Sequence, residues 1–272
     1  FLIFASCTKE GPQGIAGTNG TNGTDGTAGC IECHDNSQLI VTKSLQYEKS
    51  GHGMGVNSER NDVDCAPCHT SQGFLEVIET GAMATAAPIA NPTQQNCYTC
   101  HNIHDSYSPD DWALTQTEPV TFWMNDVVSD QGKANQCIGC HQGRELSPYP
   151  DLTAPTAIVT VTSSRYGPHH GPQGMLFAGT GGMEIAGPTS YINSAHTTQL
   201  ANSCVDCHMQ EAYGTQAGGH QMGMTYAYHG AAAVWTASCV ACHTDADAVH
   251  AKVEAAQEEI TLLHDSLGAI LQ

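Results

Sequence analysis

The chain has 272 residues and a formal net charge of −19, with 8 Lys plus Arg against 27 Asp plus Glu. That balance excludes nucleic-acid binding through a basic face, which needs clustered Lys and Arg. Aromatic residues make up only 6 % of the chain and glycines number 28, so the polypeptide alone has little apolar surface to set against its conformational entropy.

Residues 1–7 read Phe-Leu-Ile-Phe-Ala-Ser-Cys. A short apolar run ending in two small residues and a cysteine looks like the end of a lipoprotein signal peptide. Residues 1–6 are read as a signal-peptide remnant and Cys7 as the lipid-bearing residue. The run is far too short to span a bilayer, so membrane contact is expected only through that lipid. A glycine then falls at every third position from Gly11 to Gly29. The phasing is collagen-like, but Pro12 is the sole proline in it, so residues 7–29 read as a lipidated cysteine and a flexible tether. A short trimeric stalk is the alternative.

Residues 30–272 form the third unit, built on one word repeated six times. Cys-x-x-Cys-His occurs at Cys30/Cys33/His34, Cys65/Cys68/His69, Cys97/Cys100/His101, Cys137/Cys140/His141, Cys204/Cys207/His208 and Cys239/Cys242/His243. This is the attachment signature of haem c: two thiols bond one porphyrin, and the histidine ligates the iron from the proximal side. A spacing of two lets one tight turn present both sulfurs and the imidazole. A zinc site needs Cys pairs converging in fours and no His after every second Cys. Disulfides give no reason for the His. Six haems are therefore expected. They consume all the cysteines but Cys7, so no structural disulfide is expected. Haem attachment of this type implies export.

Short helices are predicted over Gln38 to Lys49 and Phe74 to Thr80, with Gly and Pro punctuating the rest. Thr156 to Thr162 is β-branched enough for a short strand or hairpin arm. Residues 165–174, Arg-Tyr-Gly-Pro-His-His-Gly-Pro-Gln-Gly, predict a rigid turn presenting two histidines. One clear helix is predicted over about Asp245 to Leu271, capped by Thr244 or Asp245. Its seam of Val249, Val253, Ala256, Ile260, Leu263, Leu267 and Ile270 has coiled-coil spacing. The expected packing is inward against the haem domain, with a neighbouring subunit as the alternative.

Six irons need six further axial ligands, and nine histidines remain. The expected distal set is His52, His104, His169, His170, His196 and His220, several of them in Gly- or Ser-rich settings that let a loop approach a porphyrin. His104 follows His101 by one helical turn and cannot easily serve the same iron, so it is assigned to a neighbouring haem. His229 is the reserve; His250 and His264 are read as structural. A methionine ligand, from Met54, Met209, Met222 or Met224, is the minor alternative and would raise the potential.

The predicted fold is mostly irregular coil with short α-helices and minimal β, wrapped around a chain of six stacked c-type haems and closed by a C-terminal helix. An iron with both axial positions filled by protein changes oxidation state without binding substrate. The expected function is therefore long-range electron transfer and no enzymatic activity. The six motifs, the Cys-x-x-Cys-His-x-x-His stretch at His101/His104 and the Tyr-Gly-Pro-His-His-Gly-Pro-Gln segment together resemble the outer-surface multihaem cytochromes of metal-reducing bacteria. The resemblance implies an outer-membrane or extracellular location, other redox proteins or extracellular acceptors as partners, and, in some relatives, polymerisation into filaments. A retained lipid on Cys7 departs from a freely secreted filament, and a lipid-anchored monomeric electron carrier is the alternative to the polymeric form. A multihaem reductase of nitrite or hydroxylamine type, with one open haem, is the alternative from a different class.

Overall fold

In the computed structural model the described residues are His34, 38–55, 57–149 and 151–270, apart from 152, 155–157, 164–165, 170, 183 and 185. Cys7, the glycine tether, Cys30, Cys33 and His170 thus lie outside the described residues.

Most helices are a single turn: Gly51–Met54, Ala66–His69, Cys97–Cys100, Asn135–Ile138 and Cys204–His208 have four or five residues each. The helix expected after the first motif runs Gln38–Glu48. The one after the second motif runs Ser71–Thr80, three residues longer than its apolar pattern predicts. Thr70 explains the extension: its hydroxyl accepts from the Gly73 N–H at 2.9 Å, a cap worth about 1 kcal/mol. Gly81 closes the helix at φ 70, its N–H reaching Val77 O at 2.8 Å, a left-handed stop that glycine adopts without strain.

Strand content among the described residues is two hairpins. β1 (Val120–Thr121) pairs antiparallel with β2 (Val128–Ser129), Val120 opposite Ser129. β3 (Thr225–Tyr228) pairs with β4 (Ala231–Val234), Tyr228 opposite Ala231. The linking residues His229 and Gly230 have φ 50 and 84, the two positive values of a tight hairpin turn. The strand expected at Thr156 to Thr162 is absent over its described part, residues 158–162. Ile158 is 92 % exposed: β-branched side chains favour a pleat only where a partner strand or apolar face covers them.

Buried apolar side chains are few. Val120, Phe122, Ile138 and Met175 form one cluster, with Cys204 packed on it, so the fourth motif (Ile138) and the fifth (Cys204) share this core. Phe74 carries the second motif to the fourth: a Cβ on Gly139 would lie 2.9 Å from its ring.

Side-chain amides bind these turns together where strand ladders are lacking. Gln95 donates to Cys68 O at 2.6 Å. Gln136, beside the fourth motif, donates to Thr99 O of the third at 3.0 Å. Gln131 donates to Gly174 O at 3.0 Å and accepts from Ser203, next to the fifth motif, at 2.7 Å. Gln142 accepts from Trp123 N at 2.8 Å. Each satisfies a backbone group that would otherwise cost desolvation energy on burial.

The C-terminal helix spans Ala246–Ile270, capped by Asp245, whose Oδ1 accepts from the N–H groups of Asp247 and Ala248 at 3.0 and 3.1 Å. Its seam does not pack inward as expected: Val249 alone among the seam residues is buried. No described helix is long and apolar enough to cross a membrane.

Candidate functional site

A Cys at i, a Cys at i+3 and a His at i+4 share one face of a helical turn, and the described motifs take that conformation. His69, His101, His141 and His243 each donate a backbone N–H to the first Cys of their motif, at 3.1, 2.9, 2.9 and 2.8 Å. Cys204–His208 is one helical turn. Asn96 caps the third motif through the Tyr98 N–H, while Thr99 reaches back to the Asn96 N–H at 2.8 Å, a reciprocal capping box.

Five motif histidines each face a second histidine from elsewhere in the chain. Ring centroids are 6.1 Å apart for His34/His104, 6.1 Å for His52/His141 and 6.3 Å for His69/His169. They are 6.3 Å apart for His101/His220 and 6.0 Å for His196/His243. A hydrogen-bonded pair of imidazoles would bring centroids to roughly 5 Å. A metal bond of about 2 Å on each side, plus about 1.1 Å from nitrogen to ring centre, sets them roughly 6.2 Å apart. The five observed separations fit one metal ion between each pair. His104 faces His34, from the first motif.

Ring orientation also fits ligation. His101 Nδ1 lies 2.8 Å from Trp112 O, and His208 Nδ1 2.7 Å from Met222 O. His141 Nδ1 lies 3.4 Å from Gln173 Oε1, and His104 Nδ1 3.3 Å from the Tyr98 hydroxyl. A partner on Nδ1 fixes the tautomer and leaves Nε2 available to a metal. Burial, then the nearby His141, lowers the pKa of His52. Burial, then Arg60, lowers His69, with Glu59 opposing. Burial, then Lys43 and His101, lowers His220 to about 4. These rings are held in the neutral form that coordinates a metal.

The loops that carry the second histidine of each pair are positioned by residues whose roles were not read from sequence. Ser50 caps the turn that carries His52, accepting from Gly53 N at 3.0 Å. Gln46 accepts the His220 backbone N–H at 3.1 Å, so the Gln38–Glu48 helix holds that loop. Asp111 accepts from the backbone N–H groups of His104, Ser106 and Tyr107 at 2.8, 2.7 and 3.2 Å. It thereby holds His104 at φ 67. The Ser108-Pro109-Asp110-Asp111 stretch was the available signal, a turn-start pattern. Ser194 caps the turn carrying His196.

Neighbouring motifs touch. Cys68 Sγ lies 3.9 Å from Cys140 O, and Cys140 Sγ 3.6 Å from Pro67 O. The Cys137 thiol is raised by its hydrogen bond to Cys204 first and by burial second. Burial pushes the Cys100 thiol up to about 11. The fourth motif thus adjoins the second and the fifth, and Gln136 ties it to the third. All ten described cysteines are free. No group of three or more His, Cys, Asp or Glu that could hold a metal ion occurs among the described residues.

No family model, no curated protein and no solved structure matches the chain. The site therefore stands on its own geometry.

His208 has no histidine ring opposite it among the described residues, and His170, the remaining member of the expected distal set, lies outside them. His229 sits at the tip of the β3–β4 hairpin against Tyr228, with centroids 4.3 Å apart. His250 and His264 lie on the C-terminal helix beside Glu254 and Asp265, at 3.4 and 3.6 Å.

Proposed function

We propose that the chain is a hexahaem c-type cytochrome that relays electrons and makes no bonds in substrates. The observation that carries this reading is the set of five proximal–distal histidine pairs at 6.0–6.3 Å. Haem c would supply a one-electron ferric/ferrous couple at each pair. The chain's own residues hold His101, His104, His141 and His208 through Nδ1, would hold each of five haems between a motif histidine and a second histidine, and keep adjoining motifs in contact. With haem bound, these contacts would let an electron from an upstream redox protein pass between neighbouring sites to an external acceptor. His170 is assigned to His208 in this reading. Cys7 is read as a lipid anchor, and the location as the outer-membrane surface or the exterior. A homopolymer remains the extended form of the same reading.

The test is the haem content and spin state of the exported, purified chain. Six covalently bound haems per chain, seen by intact mass, with a low-spin ferric spectrum unaltered by nitrite or cyanide, are expected. Stoichiometric zinc without haem would overturn the reading. A high-spin centre that binds nitrite would replace it with the reductase.

A further inference from the structure

The C-terminal helix carries apolar residues at alternating spacings of four and three, from Val249 to Ile270. Four of them, Ile260, Leu263, Leu267 and Ile270, are 67, 63, 54 and 79 % exposed. Scattered exposed apolar side chains need no explanation, but a continuous stripe marks an interaction surface. Its period is 3.5 residues, not the 3.6 of a helix lying on an irregular domain surface. That period is matched by another helix of the same repeat.

We infer that this helix forms a parallel two-stranded coiled coil with a second copy of the chain. Val253, Ile260 and Leu267 fall at the first core position of successive heptads, and Ala256, Leu263 and Ile270 at the other, while Val249 in the same register is already buried within its own chain. Glu254, Glu258 and Asp265 fall on the outer faces. The flanking positions are complementary in a parallel pair. Glu259 meets the partner's His264, and Lys252 meets the partner's Gln257, so no like charges oppose. The exposed part of the stripe, Val253 to Ile270, is about 26 Å long, and at about 100° wide it offers roughly 300 Å² of accessible surface per copy, hence roughly 600 Å² for the pair, the size of a weak, concentration-dependent interface.

The inference is independent of haem binding, and its test reads a different quantity. Sedimentation of the full chain at micromolar concentration is expected to give twice the chain mass. The double variant Ile260→Asp, Leu263→Asp is expected to give the single mass, with an unchanged visible spectrum. Leu263→Cys, in a chain carrying Cys7→Ser, is expected to cross-link two copies under mild oxidation, because the same core position meets itself only in a parallel pair. A monomeric wild type, a double variant that still dimerises or polymerises, or failure of the Leu263→Cys cross-link would each overturn the proposal.

Discussion

The ring of His220 lies 6.3 Å from that of His101, centre to centre, with the planes inclined by 27°. His220 arrives on a loop held by Gln46, and His101 on a capped turn whose Nδ1 faces Trp112 O. Two unrelated local devices thus bring the two imidazoles together. In the haem-loaded chain, His220→Ala is expected to leave one iron without its second axial ligand. A ferric high-spin signal amounting to about one iron per chain checks this by electron paramagnetic resonance. An unchanged low-spin spectrum would show that His220 is not a ligand.

Asn135 is fully buried and fully satisfied. Its Oδ1 accepts from Gln131 N at 2.8 Å, and its Nδ2 donates to Thr117 O and Asp130 Oδ1, each at 3.0 Å. Asn135→Ala strands buried polar groups, and a loss of about 2–4 kcal/mol is expected. Chemical denaturation of the variant against the parent measures it.

Gly174 touches the fourth motif through its backbone. Its N–H donates to His141 O at 2.8 Å, and a Cβ there would lie 2.6 Å from Ile138 Cγ2 and 2.8 Å from His141 O. Gly174→Ala is expected to cost about 1–3 kcal/mol by overpacking. Thermal unfolding checks the loss, and the His141 site is expected to be perturbed more than the His243 site.

Asp130 Oδ1 accepts from Asn135 Nδ2 and from Gly132 N at 3.1 Å. Those bonds, the Asn135 one foremost, lower its pKa below the ordinary value of 3.8. A lowered carboxyl stabilises the fold fully above its unfolded value and loses that contribution as pH falls through the folded one. Asp130→Asn is therefore expected to flatten the acid limb of the stability profile below about pH 4 and to leave its slope near neutrality unchanged. Urea midpoints taken across that range provide the measurement.

Much of the local structure was legible in the sequence. The helix after the first motif and the capped C-terminal helix follow their patterns, because a helix states its period and its caps within a few residues. The strand read at Thr156 to Thr162 failed because β-branching says nothing of whether an edge or apolar face awaits it. The role of Gln46 was not legible, since a side chain that holds backbone 174 residues away leaves no periodic trace, whereas Asp111 acts within its own turn, where the Ser108-Pro109-Asp110-Asp111 pattern was the available signal.

The sequence by itself determined the six Cys-x-x-Cys-His words and, in the five described ones, the local turn: spacing of i, i+3 and i+4 is decided by one hydrogen-bonded turn and needs no distant partner. It also supplied the surplus of histidines. Only the tertiary structure decided which histidine faces which motif, and that the apolar seam of the last helix stays open. Those outcomes depend on loops brought together across long stretches of chain by buried glutamines, close glycine contacts and a small apolar core, and such packing has no period to read.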